Sequence, residues 1–180
     1  MEEKLDVLDE NGEFTGLVVS KSQCHREGLW HKAVAVFLFD KSNEFILLQK
    51  RSNKKELYPN LWDTTGGHVT TREFGYQAVI RETKEELGII LNESDLRFIG
   101  TIISKYKNDN IINNQFNEFF VTHIDINLAS ISVLQKEEVA EIKWFKIEEI
   151  LRKIRNSYKG MTPKYGCWDY LARYAKLKYT

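Results

Sequence analysis

The sequence predicts an α+β fold in which a central mixed β-sheet is sandwiched between helical layers, with a β-hairpin at its N-terminal end. Two observations carry that expectation: short apolar, strand-like runs recur along the chain, and two or three helix-like segments interleave with them. There is no internal repeat or low-complexity segment to suggest a solenoid or an array. At 180 residues, 42% of them hydrophobic, the chain has the length and apolar content for one compact core. We expect a single domain over 1–180, with the hairpin and a short helix in 1–28 and the core in 29–180.

The elements follow in order. Residues 5–19 read as a hairpin, because Asn11-Gly12 is a turn signal between two apolar stretches. Residues 22–28 suit a short helix, with Ser22 near its cap and Gly28 at its exit. The apolar run 33–39 predicts a buried strand, 40–44 a polar turn, and 45–49 the returning strand. Residues 57–63 (LYPNLWD) combine a proline with dense aromatics, which fits a fixed irregular loop. A helix is expected over 78–87, then strands at 96–104 and 116–126 around a mobile polar connection, KYKNDNIINN. A strand at 141–145 leads to a helix at 147–154 with Ile147, Ile150, Leu151 and Ile154 on one face. Pro163 breaks the chain before a last helix from about 167 to 177.

Composition narrows the function. With 26 basic and 26 acidic residues the formal net charge is zero, so no global field favours nucleic acid or an anionic membrane, and a small-molecule substrate fits better. Cys24 and Cys167 read as free thiols. The N-terminus is acidic without an apolar stretch, and no run of about 18 apolar residues occurs. A cytoplasmic protein is expected.

The chemistry concentrates in residues 67–89, GHVTTREFGYQAVIRETKEELGI. On a helix over 78–87, Glu82, Glu85 and Glu86 stand at i, i+3 and i+4 and share one face. Three converging carboxylates repel one another unless a positive group joins them, and hard Mg²⁺ or Mn²⁺ is the natural candidate. A diphosphate is a matching substrate: its charged oxygens resist attack unless cations neutralise them and a base activates water. An isolated charge run of this kind is more often a solvated helix face. The upstream Gly67 and Glu73 at fixed offsets argue otherwise.

The spacing of Gly67, Glu73, Arg81, Glu82, Glu85, Glu86, Gly88 and Ile89 resembles the signature of the Nudix hydrolases, with Thr83 at a usually aliphatic position as the one departure. The motif covers 23 residues, and the order of strands and helices extends the likeness more weakly over nearly the whole chain. The resemblance implies the Nudix α/β/α sandwich and hydrolysis of a diphosphate linkage in a nucleoside diphosphate derivative. It implies metal binding by Glu82, Glu85 and Glu86 with the Gly67 carbonyl, and an Arg81 that pairs with Glu73 as an organiser. Gly66 and Gly67 permit close backbone approach, and Gly88 ends the helix. In this family the general base lies in the box or on a distant loop; Glu85 is the first candidate and Glu118 the second. Glu118 shares a strand face with Phe116 and Phe120, where an acid needs a partner or a metal unless it is an edge residue. Glu137, Glu138 and Glu141 read as surface charge.

Outside the box, residues 25–52 and 61–69 resemble the Nudix subgroup that includes isopentenyl-diphosphate isomerases, which makes isomerisation the rival reading. That resemblance matches His31, His68 and Glu118 to metal-holding positions, with His25 one place out of register and Phe116 where a second acid belongs. It also puts the isomerase thiol at Gly66, which carries no acid or base, so hydrolysis is favoured. His31 and His68 are otherwise structural, hydrogen-bonded residues. A non-catalytic nucleotide sensor is the second alternative, and the full acid set argues against it. Tyr58 and Trp62 are candidates to stack a planar substrate group beside Gly66, with core packing as their ordinary use. Substrate choice is expected in 54–62, 105–117 and 158–168, and the hairpin offers an edge for homodimer pairing.

Overall fold

The computed structural model describes residues 2–131, 133–156, 160–163 and 165–179. In chain order these form β1 (Lys4–Leu8), β2 (Phe14–Ser20), α1 (Lys21–Glu27), β3 (Trp30–Asp40), β4 (Phe45–Arg51), β5 (Trp62–Asp63), β6 (Thr65–His68), α2 (Gly75–Leu87), β7 (Arg97–Lys107), β8 (Ile112–Ile124), β9 (Val139–Lys146), α3 (Ile147–Arg155) and α4 (Tyr165–Tyr179).

Strand β3 is the axis. It is apolar on both faces, as a strand covered from above and below must be. Along one side it pairs in parallel with β8 from Trp30 to Asp40, and β7 lies antiparallel beyond β8. Along the other side it meets three strands in succession: β1 at Trp30, β6 from Ala33 to Val36, and β4 at Leu38 and Phe39. Strand β4 carries β9 and β5, and β2 pairs with β1 at the edge. The sheet is therefore mixed.

Alternation along β3 separates two cores. Val34, Val36 and Leu38 pack with Ala78, Val79 and Leu87 of α2 and with Phe120. Ala35, Phe37 and Phe39 pack with Phe119, with Ile147 and Ile150 of α3, and with Trp168 and Leu171 of α4. This is the expected α/β/α sandwich.

Boundaries differ from expectation where tertiary pairing overrides local composition. The segment KYKNDNIINN is mostly strand: β7 and β8 continue toward each other until Lys107 faces Ile112, so the mobile connection expected over 105–114 shrinks to a tight turn at 108–111. Two of its asparagines are tied in: the Asn108 side chain accepts from the Ile111 amide, and Asn114 donates to the Gly28 carbonyl. The first hairpin turns over 9–13, where the Asp9 carboxylate accepts from the Asn11 and Glu13 amides, in place of a two-residue turn. Ser20, two residues before the expected cap, caps α1. Strands β5 and β6 exist only by pairing with β4 and β3, and their short sequences carry no strand signal of their own. Part of the expected substrate segment 158–168, including Tyr158, falls outside the described residues.

Candidate active site

Helix α2 positions the site. Its start is set by Gln77, whose side-chain Oε1 accepts from the Phe74 amide, and its end by Gly88, left-handed at φ 69°, whose amide returns to the Lys84 carbonyl. Between them Ala78, Val79 and Leu87 face the core, so Arg81, Glu82 and Glu85 rise along one flank.

Arg81 gathers the acids. Its guanidinium donates to both Glu73 oxygens, Nε at 2.9 Å and Nη2 at 3.0 Å, and its Nη1 lies 2.8 Å from Glu82 Oε1 and 3.2 Å from Glu85 Oε2. Nη2 also reaches the His68 carbonyl at 2.9 Å, which ties β6 to the helix. Glu73 accepts further bonds from the Thr70 amide and hydroxyl; burial pushes its carboxyl up, but the Arg81 and Thr70 bonds prevail and hold it below the usual range. A bidentate, charge-assisted fork of this kind is suited to fixing geometry.

The metal candidates are placed differently from one another. Glu85 is exposed, and among the described residues Arg81 holds it. Glu82 is buried against Gly67, where an added Cβ would overlap its carboxylate, and burial raises its carboxyl although Arg81 opposes the shift. Glu86 is buried as well. It accepts from Gln49 Nε2 at 3.0 Å and from the Gly66 amide at 3.4 Å. Burial, then the neighbouring Glu82 charge, push its carboxyl up to about 8. Glu86, a buried carboxylate in no ion pair among the described residues, and Glu82, which shares the Arg81 guanidinium with Glu73 and Glu85, offer the oxygen ligands that a hard divalent cation takes.

Two ion pairs that sequence reading left as surface charge frame this site. Lys55 pairs with Glu138, and Lys54 with Glu137 at 3.5 Å, joining the loop after β4 to the loop before β9. Lys55 and Glu138 both bear electrostatically on Glu86. The Gln135 amide donates to the Glu86 carbonyl, docking the second loop on the end of α2.

Beside the box, His25, His31 and His68 form a cluster whose candidate ligand atoms lie within 4.8 Å of one another. His31 Nδ1 sits 3.0 Å from the Leu29 carbonyl, which it can bond only as a donor, so its Nε2 bears the lone pair. Burial lowers all three rings, His31 to about 4, leaving neutral imidazoles of the kind that ligate metals. His25 joins this group although its sequence register seemed one place out: α1, packed on β8, β1 and β2, brings its ring centroid to 5.2 Å from those of His31 and His68.

Glu118 stands elsewhere. Its strand neighbour is Val34, so it points to the α2 side, against the first residue of α2 at Gly75, with Lys32 Nζ at 3.1 Å. His31, paired with Gln115, points to the opposite side. The expected set of His31, His68 and Glu118 is thus split, and Glu118 has a cationic partner of its own. Gly66 lies so close to β3 that an added Cβ would overlap the Val34 carbonyl oxygen, and a thiol there has no room. Trp62 packs edge-on against Phe145, 4.8 Å between ring centroids, as core-flanking residues do. Tyr58, left-handed at φ 54°, meets Tyr106 edge-on at 6.0 Å. Thr83, under the helix, is fully buried, and its hydroxyl has no partner among the described residues.

A family model for the NUDIX domain matches residues 29–165. Nudix hydrolase 3 of Arabidopsis thaliana is 35% identical over 98% of this chain, which spans only 23% of that relative's length. Isopentenyl-diphosphate Delta-isomerase 1 of Aromatoleum aromaticum is 32% identical over 80% of this chain and 77% of its own. Among solved structures, DR0079 from Deinococcus radiodurans shares the fold with a TM-score of 0.70, at 21% identity, over 95% of this chain and 98% of that one. The match runs through the glutamate box and the strands that carry it, and the chain belongs to the Nudix hydrolase family.

Proposed function

We propose that this chain is a Mg²⁺- or Mn²⁺-dependent pyrophosphohydrolase that cleaves the diphosphate linkage of a nucleoside diphosphate derivative. One observation carries the reading: Glu82 and Glu86, both buried and both raised by burial, lie with Glu85 on the flank of α2 that Arg81 organises. Glu82, Glu85, Glu86 and the Gly67 carbonyl would hold the cation, which when bound neutralises phosphate oxygens and acidifies water. Arg81 ties the helix to β6, and Glu85, exposed beside it, would take a proton from the attacking water. Glu118, paired with Lys32 of the neighbouring strand, is the second candidate for the base. Gly66 offers close backbone approach, and Tyr58 and Trp62, each already in edge-on contact with another ring, Tyr106 and Phe145, would meet a planar group with their remaining surface. Water solubility, a cytoplasmic location and a homodimer through the hairpin edge belong to the same reading; no helix among the described residues is long and apolar enough to cross a membrane.

The test is turnover with and without Mg²⁺ or Mn²⁺ across nucleoside di- and triphosphates, nucleotide sugars, dinucleotides and isopentenyl diphosphate. Loss of a general base costs about 10²–10⁴ in rate, so Glu85→Gln should lower hydrolysis by that factor. Double-bond migration in isopentenyl diphosphate without hydrolysis would replace this reading by the isomerase, and saturable binding without turnover by the sensor.

A further inference from the structure

Strand β4 is apolar through Ile46, Leu47 and Leu48, and then places an amide, Gln49, in the interior at 2% exposure. A buried amide is costly unless its polar atoms are bonded, so its presence in such a strand calls for a partner. The partner is Glu86: Gln49 Nε2 lies 3.0 Å from Glu86 Oε2, with the Thr64 carbonyl at 3.4 Å as a second acceptor. The other donor to the same carboxylate oxygen, the Gly66 amide, is longer at 3.4 Å. Gln49 Oε1 is buried with no partner among the described residues. An amide kept only for packing would gain more as leucine or methionine, which fill the same space without an unsatisfied oxygen.

We propose that Gln49 is a positioning residue of the metal site: its amide pins one oxygen of Glu86 and so leaves the other for a divalent cation, while its own carbonyl oxygen is an acceptor for water held at that cation. The inference rests on the reading of the box as a metal site. Hydrogen-bond partners standing behind metal ligands typically change metal affinity by about 10–100-fold when removed. Gln49 binds no metal and touches no substrate in this scheme; it acts through Glu86.

The experiment is a Mn²⁺ titration followed by the electron paramagnetic resonance of free Mn²⁺, on wild type, Gln49→Met and Glu86→Gln. Melting in EDTA reports the fold of each, and Gln49→Leu serves if the methionine variant does not fold. Gln49→Met is expected to bind Mn²⁺ about 10–100-fold more weakly than wild type, to unfold in a single cooperative transition in EDTA as wild type does, and to need correspondingly more Mg²⁺ for half-maximal turnover. A folded Gln49→Met that binds Mn²⁺ within about twofold of wild type, beside a weakened Glu86→Gln, overturns this inference alone. A wild type that binds no Mn²⁺ overturns the box reading, and this inference with it.

Discussion

Glu86 and Thr83 are both buried on α2 and both poorly compensated, and each makes a separate expectation. The Glu86 carboxyl is raised from 4.5 to about 8, so the unfolded chain gives up its proton first, and stability fully present below about 4.5 is lost as pH rises through 8. His31 works in the other direction: lowered from 6.5 to about 4, it gives stability present above 6.5 and lost as pH falls through 4. Of these two groups, only Glu86 changes between pH 6.5 and 8. Metal-free protein should therefore melt lower at pH 8 than at 6.5, and Glu86→Gln should remove most of that difference in a pH series of melting curves. Thr83→Val replaces a buried, unbonded hydroxyl by a methyl of the same shape and should stabilise the protein by about 1 kcal/mol in urea unfolding. An unchanged midpoint would mean that the hydroxyl is satisfied in solution.

Among the elements, β6 links the sheet to the chemistry. Four residues long, it pairs with β3 on one side, and through Gly66, Gly67 and His68 it meets Glu86, Glu82 and Arg81. Any side chain at Gly66 strikes backbone, which cannot give way as a flexible side chain can. Gly66→Ala should cost about 1–3 kcal/mol, the usual penalty of overpacking, in chemical denaturation. Gly66→Cys should be destabilised in the same way and should show no isomerase activity. Full stability in either variant would contradict the close approach of β6 to β3.

For the whole molecule, the proposed cation site would couple binding to folding, because the α2 carboxylates meet the Gly67 backbone only when α2 is docked on the sheet. If Mg²⁺ binds the folded chain and not the unfolded one, a concentration 100 times its dissociation constant adds about 2.7 kcal/mol. In a chain of this size that raises the melting temperature by roughly 5–10 °C. Glu82→Gln should reduce the shift, and an equal shift in that variant would place the cation elsewhere, with the three histidines the next place to look.

Much of this was legible in the sequence. The box spacing, Arg81 as partner of Glu73, the helix end at Gly88 and the buried strand around Val34 to Phe39 are local patterns, set by chemistry within a few residues, and each is present in the fold. The pairing of β7 and β8 through a polar segment was not legible, because strand formation there depends on a neighbour and not on composition. The family resemblance had already set His31 beside His68, but sequence could neither add His25 in place nor send Glu118 to the opposite face of the sheet, since these follow from the docking of α1 and from the register of β3 with β8. Gln49 is 37 positions from Glu86, and only the docking of α2 on the sheet makes them partners. Local patterns determined the chemistry of this protein, while long-range register decided which side chains share it, because a register shift of one residue would turn every side chain of a strand to the other face.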